Sequence, residues 1–208
     1  GEETGIFHNV ISNAIFKNQL TNSNINTIKT MIFEKFNHGN LIKKKNDYIF
    51  TDKSLENLFY MRFIKEIFPN AKVIYCKRSA FSSIISIIKN NLTKISWAHS
   101  IENIFSYFNL FFNEIENLKK DFPNLIFELE YEKFVINPEI ESKKLLEYCN
   151  LPWDKKCLEF YKRKELVSRT ASKTQIRKAI YQNSINKYLP YKDFFKNHEK
   201  EYFWLNFN

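Results

Sequence analysis

Glycine is almost missing from this sequence: of 208 residues, only positions 1, 5 and 39 carry it. That excludes a glycine-rich phosphate-cradling loop built from these residues. Cysteine is scarce too. Cys76, Cys149 and Cys157 show no CxxC spacing and leave one thiol over after any pairing, so the pattern implies neither a disulfide scaffold nor a thiolate metal knuckle. The histidines are scattered without metal-ligand spacing, and no metal centre is expected. No apolar run approaches the ~18 residues that a membrane span requires. The first residues do not read as a signal peptide, and the start at Gly1-Glu-Glu-Thr4 without methionine carries the expectation of a fragment.

What is present points to a folded, basic chain. Hydrophobic residues make up 44 % and aromatics 17 %, which favours a globule over disorder. The 32 Lys and Arg against 23 Asp and Glu leave a net charge of +9. Such a surplus suits anionic partners: nucleotides, phosphates or sulfates, acidic peptides, nucleic acid or an anionic membrane. Abundant lysine also serves solubility alone. The length fits one domain, or one with a helical extension.

Hydrophobic spacing predicts helices over residues 7–20, 25–36, 55–68, 100–120 and 138–148, with shorter ones over 155–161, 175–180 and 183–188. In the long helix, Ile101, Ile104, Phe105, Phe108, Phe112 and Ile115 fall on one face. Apolar runs at 48–51, 72–77 and 125–130 read as strands buried on both faces. Helices between strands predict a parallel sheet in a three-layer α/β fold.

The most telling segment is Ala71-Lys-Val-Ile-Tyr-Cys-Lys-Arg78, followed by Ser79-Ala-Phe-Ser-Ser-Ile-Ile-Ser86. A strand there would end at Arg78, and Ser79 would cap the helix that follows. Cys76 would be a packing residue of the strand. Open α/β sheets bind ligands at the carboxyl ends of their strands. An arginine there, with a hydroxyl two helical turns on, can hold one phosphate by a charged fork and a directed hydrogen bond. The plainer reading has Arg78 solvating a strand end and Ser86 filling the helix.

In order along the chain, Gly1-Glu-Glu-Thr4, Asp52-Lys-Ser-Leu-Glu-Asn57, Phe68 to Arg78 with Ser86, Glu130-Tyr-Glu-Lys-Phe-Val-Ile-Asn-Pro138, Leu151-Pro-Trp153 and Arg169 to Tyr188 resemble the motifs of sulfotransferases that use 3′-phosphoadenosine 5′-phosphosulfate (PAPS). The resemblance is nearest to the tyrosylprotein sulfotransferases and their tetratricopeptide-linked bacterial relatives. It implies a P-loop-NTPase-like α/β fold forming a single domain over residues 1–208, with 151–208 as a helical or irregular C-terminal part. The upstream strand and phosphosulfate loop of the family are absent from these residues. The resemblance therefore implies a domain truncated at its N-terminus, inactive or nearly so by itself. Leu55 stands in place of the proline of the lysine motif, and Tyr188 in place of a tryptophan. Gly5 stands where the tyrosylprotein enzymes carry an arginine that helps hold acidic acceptors.

The roles implied by the resemblance are these. Glu3, or its neighbour Glu2, is the catalytic base; Lys53 meets the leaving oxygen; and Ser172 donates to the sulfuryl group. Arg78, Ser86, Asn90, Tyr131, Ser172, Gln175, Arg177 and Lys187 bind PAPS, with Tyr131 toward the adenine. The partner is a hydroxyl-bearing acceptor, an acidic peptide, glycan or small molecule, with no nucleic acid, no membrane span and room for a homodimer. The bacterial relatives favour a cytoplasmic compartment over a secretory-pathway lumen. Each residue also has an ordinary reading: glutamates at a helix start, a surface lysine, a serine N-cap, a half-buried tyrosine, a solvated basic face. Two other functions compete with the enzyme, a non-catalytic nucleotide- or phosphate-binding module and a basic nucleic-acid-binding domain. Against the last, Phe105, Phe108 and Phe112 follow core spacing rather than an exposed stacking pattern.

Overall fold

A computed structural model describes residues 4–38, 49–93, 95–163, 177–183, 185–186, 188–198 and 200–205. The chain forms two compact units, residues 1–71 with 167–173, and residues 72–166 with 174–208.

The first unit is helical. Helix α1 spans Ile6–Phe16, α2 Ile25–His38 and α3 Met61–Ile67, with a 3-10 helix over Leu55–Tyr60 leading into α3. The single helix expected over 55–68 is thus two, ended by Phe68 and Pro69. Leu55 is the first residue of that 3-10 helix, a place where the family's proline would also fit because its missing N–H has no helical partner there. Phe7, Val10, Ile11 and Ala14 of α1 are buried, as are Ile28, Ile32 and Phe36 of α2, the stripe that 3.6-residue periodicity produces. Around them Phe7, Phe33, Phe36, Phe50 and Phe68 form a cluster of mostly edge-to-face rings, with centroids 4.9–5.9 Å apart. The strand expected over 48–51 does not form in its described part, residues 49–51. Phe50 joins the ring cluster, while Ile49 stays 65 % exposed. One aromatic anchor, not a ladder of backbone bonds, holds this segment.

The second unit holds the sheet. Strand β1, Val73–Lys77, pairs in parallel with β2, Ile126–Glu130, with Val73 opposite Ile126 and Lys77 opposite Glu130. Between them run α4, Ala80–Asn90, and α5, Ile101–Asp121, the helical crossover a parallel pair requires. The chain is therefore α/β, with a parallel pair among the described residues. After β2 come α6, Tyr131–Ile136, α7, Pro138–Tyr148, and a 3-10 helix over Lys155–Lys162. Tyr148 clamps the start of the pair: its hydroxyl donates to the Leu125 carbonyl and accepts from the Val73 amide at 3.4 Å. β1 is not buried on both faces. Ile74 is 40 % exposed and Cys76 is exposed, which corrects its expected packing role. A strand is covered on both faces only where helices lie on both, and among the described residues β1 has a strand partner on one edge alone.

The expected face of α5 is the core of this unit. Ile104 and Phe105 are buried with Phe81, Ile84 and Ile85 of α4, and Ile101, Phe108 and Phe112 pack against them. The C-terminal segment closes this core. Helix α8, Lys192–Lys196, inserts Phe195, while Trp204 lies 5.5–5.7 Å from the rings of Phe105, Phe108 and Phe112. These phenylalanines are committed to packing and not free to stack bases. Of the helices expected over 175–180 and 183–188, the described residues show 3-10 backbone at Arg177 and none over 178–183 or at 185, 186 and 188. External partners hold this backbone instead: the buried Ser82 hydroxyl donates to the Ile185 carbonyl at 3.1 Å, and Gln182 donates to the Val135 carbonyl at 3.4 Å.

Asparagine takes over where glycine is wanted. Asn18, Asn91, Asn124 and Asn150 adopt φ between 42° and 69° just after α1, α4, α5 and α7. After α1 and α7 the backbone closes with paired bonds, Gln19 to Ala14 and Asn18 to Ile15, then Leu151 to Leu146 and Asn150 to Glu147. This is the left-handed helix stop usually made by glycine; asparagine also tolerates it.

An ion-pair cluster joins α5 to the sheet. Glu128 of β2 takes Lys119 of α5 on one oxygen and Lys77 of β1 on the other, the latter at 3.0 Å. Burial opposes ionisation of Glu128, but hydrogen bonds and charges from Lys119 and Lys77 outweigh it and hold its carboxyl below its ordinary value of 4.5. A carboxyl with a depressed folded-state pKa stabilises the fold above the unfolded value and loses that contribution as pH falls through the folded one. The cluster is partly exposed, so solvent screening keeps the effect at roughly 1 kcal/mol or less. Glu128→Gln is expected to lower the urea midpoint at pH 7 and to have little effect near pH 3. An equal deficit at both pH values would assign the loss to packing instead.

Candidate active site

Two groups of the expected site residues are placed by the fold. The first lies in the helical unit. Gly5 precedes α1 in a left-handed conformation, φ 61°, where a side chain would be strained. The Thr4 hydroxyl donates to Asp52 Oδ1 at 2.8 Å and accepts from the Ile6 amide at 3.1 Å. Asn57 Nδ2 donates to Asp52 Oδ2 at 2.7 Å, and the Gly5 amide donates to Ser54 Oγ at 3.3 Å. The end of the Gly1–Thr4 block is therefore fastened to the Asp52–Asn57 block, across 48 residues of chain. Lys53, between Asp52 and Ser54, is exposed.

The second group lies at the carboxyl ends of the parallel pair, where open α/β sheets bind ligands. Arg78 directly follows β1 and is half-buried, its guanidinium carbon 5.0 Å from the centre of the Tyr131 ring. Tyr131 begins α6 rather than ending the strand, because Glu130 closes β2 and caps that helix. The two residues expected to touch the nucleotide thus stack on each other, an arrangement that favours the guanidinium over a simple ammonium. Ser79 caps α4, its hydroxyl accepting from the Ser82 amide at 3.4 Å. Its own amide donates to Glu132 Oε1 at 3.0 Å. Ser86 sits half-buried on α4 as expected, and Asn90 reaches back to it, donating to its carbonyl at 2.8 Å and to its Oγ at 3.1 Å. With Asn90 supplying a donor to Oγ, the Ser86 proton can point outward to an anion. Arg177 is exposed and donates to the Arg163 carbonyl at 2.6 Å. Glu2, Glu3, Ser172, Gln175 and Lys187 lie outside the described residues.

This donor set suits a phosphate. It offers a charged fork at a strand end and a hydroxyl two turns into the serine-capped helix that follows. Thr4, Asp52, Ser54, Asn57 and Glu132 lie in the motifs that carry the resemblance but are given no role by sequence reasoning. The available signal was the pairing of a short acceptor, Asp52, with a donor five residues on, Asn57, around the lysine. Among the described residues no three His, Cys, Asp or Glu gather as metal ligands, and no helix is long and apolar enough to cross a membrane.

Comparison with known proteins gives the family of the chain. Residues 7–155 match the model of the sulfotransferase family. An uncharacterized protein of Aquifex aeolicus (strain VF5) is 36 % identical over 147 residues, covering 69 % of this chain and 19 % of the relative. Protein-tyrosine sulfotransferase A of Caenorhabditis elegans is 23 % identical over 122 residues, covering 56 % of this chain and 30 % of the relative. The matched segment thus spans less than a third of either relative. With both the lysine block and the strand–helix unit inside the matched span, this chain belongs to the sulfotransferase family.

Proposed function

We propose that this chain transfers the sulfuryl group of PAPS to a hydroxyl acceptor, releasing a sulfate ester and 3′,5′-ADP. The observation that carries the reading is Arg78, stacked on Tyr131 at the carboxyl ends of the parallel pair, with Ser86 on the helix that follows. In this reading Arg78 and Ser86 hold the 3′-phosphate, while Tyr131 supports the arginine and lies toward the adenine. Asn90 orients the Ser86 hydroxyl, and Gln175, Arg177 and Lys187 add contacts to the nucleotide.

Sulfuryl transfer breaks the bond between sulfur and the phosphate oxygen of PAPS and forms one to the acceptor oxygen. The acceptor proton goes to a base, and negative charge grows on the leaving phosphate. By analogy with phosphoryl transfer, little covalent work falls to the protein; positioning and charge stabilisation lower the barrier. Glu3, or Glu2 beside it, takes the proton. Lys53 neutralises the leaving oxygen, and Ser172 donates to the sulfuryl oxygens. The 5′-phosphosulfate needs a phosphate-binding loop, and three glycines at positions 1, 5 and 39 do not build a glycine-rich one. The name of the C. elegans relative supports peptide tyrosine among the acceptor classes, whereas Gly5, in place of an arginine, favours a less acidic acceptor.

The test is transfer of radiolabelled sulfate from PAPS by the intact protein to three acceptors: a tyrosine peptide, a polysaccharide and a phenol. Calorimetry of 3′,5′-ADP accompanies it. Transfer to at least one acceptor with saturable 3′,5′-ADP binding is the expected result. Binding without transfer to any of the three would favour the non-catalytic nucleotide-binding module, and absence of both would remove the reading.

A further inference from the structure

We infer that Asp52 is a positioning residue, its carboxylate fixing Thr4, the residue that follows Glu3 in the sequence, against the block that carries Lys53. The inference rests on the proposed sulfuryl transfer, and it concerns residues to which that proposal gives no role. The geometry is that of a clasp. Thr4, the residue after Glu3, bonds one oxygen of Asp52 at 2.8 Å, and Asn57 bonds the other at 2.7 Å. Asp52 itself immediately precedes Lys53. One side chain therefore joins the neighbour of the base to the neighbour of the cation.

The chemistry of the three groups makes the clasp directional. An ionised carboxylate only accepts, so both partners must donate to it. The Thr4 hydroxyl has a single proton, and it goes to Asp52 because the same oxygen already accepts from the Ile6 amide at 3.1 Å. The Asn57 amide must turn its nitrogen toward Asp52, which sends Oδ1 the other way, to a buried position where it has no hydrogen-bond partner among the described residues. Leaving a buried acceptor unmatched has a cost, so this orientation of Asn57 is one the carboxylate imposes. A second tie runs parallel to the first, from the Gly5 amide to Ser54 Oγ at 3.3 Å. Thr4, Gly5, Asp52, Ser54 and Asn57 are all half-buried, which shields these bonds without closing the neighbouring positions to substrate. A base and a cation acting on the same transfer lose rate steeply when displaced by about an ångström. The two ties hold Thr4 and Gly5 against Asp52 and Ser54, on either side of Lys53.

The test uses Thr4→Val, which keeps the shape of the side chain and removes only its hydroxyl. Asp52→Ala, Asn57→Ala and the conservative Thr4→Ser accompany it, all in the intact protein with the acceptor that turns over fastest. Thr4→Val and Asp52→Ala are expected to lower kcat by up to ~10²-fold with little change in KM for PAPS or in 3′,5′-ADP affinity, and Thr4→Ser to restore kcat. Amide hydrogen exchange at Gly5 and Ile6 should accelerate in Thr4→Val and Asp52→Ala, a readout that needs no turnover. Wild-type kcat in Thr4→Val, from an active parent, overturns the role of Asp52 and leaves the sulfuryl-transfer reading standing. A parent that transfers no sulfate overturns that reading and the positioning role with it, whatever the exchange shows. If all variants lose kcat only in proportion to folded protein, measured by thermal unfolding, the clasp is structural and the inference falls.

Discussion

Lys53→Ala and Glu3→Gln, each introduced into the intact protein, are expected to reduce turnover by ~10²–10⁴-fold while leaving 3′,5′-ADP affinity within a factor of about two. The two losses have different origins. Glu3→Gln keeps the size of the side chain and removes its capacity to accept a proton, so the acceptor hydroxyl must ionise unaided. Lys53→Ala removes a cation that is needed only as charge develops on the leaving oxygen, so the loss should fall on kcat rather than on KM. Lys53 is exposed, and trimming it should not disturb the packing of Phe7, Phe50 and Phe68 nearby in the same unit. Stopped assays of labelled sulfate transfer, run beside thermal unfolding of each variant, measure both quantities. If Glu3→Gln retains activity and Glu2→Gln abolishes it, the base is the neighbouring glutamate. If both single variants and the double variant keep full turnover, no carboxylate of this block is the base.

How much of this could be read beforehand follows from the range over which each signal acts. The cap of α4 was legible because Ser79 and Ser82 are three residues apart and a serine before an apolar run has one common use. The α5 face was legible because Ile104, Phe105, Phe108 and Phe112 repeat at the helical period. The parallel pairing of β1 and β2 followed from the helices between them. Burial of β1 was not legible, because an apolar run records what a strand could face and not what covers it. Ile74 and Cys76 show the difference. Residues 49–51 misled for a related reason: Phe50 is apolar to pack on the rings of Phe33, Phe36 and Phe68, not to sit in a sheet. The clasp at Asp52 was hidden because its partner Thr4 lies 48 residues away, and nothing in either local pattern names the other. Tyr148, whose hydroxyl bridges Leu125 and Val73, was likewise read only as the end of a helix.

Arg78→Ala is expected to weaken 3′,5′-ADP binding by roughly 10- to 150-fold, the equivalent of about 1.5–3 kcal/mol for one charge-assisted bond. AMP, which lacks the 3′-phosphate, should bind the variant and the parent almost equally. Arg78→Lys keeps the charge but loses the planar fork and its stacking on Tyr131, so it should fall between the two. Ser86→Ala removes a single neutral donor and should cost less than Arg78→Ala, and Asn90→Ala less again if its bond to Ser86 Oγ is its contribution. Calorimetry with the two nucleotides orders these variants. The comparison of nucleotides decides the cause: Arg78 follows β1 and lies over the first residue of α6, so its removal could loosen the sheet end itself. A loosened sheet end would weaken both nucleotides together and lower the unfolding temperature, and that pattern would make Arg78 a support of the fold. Selective loss for the nucleotide with the 3′-phosphate, at unchanged unfolding temperature, makes it the phosphate ligand.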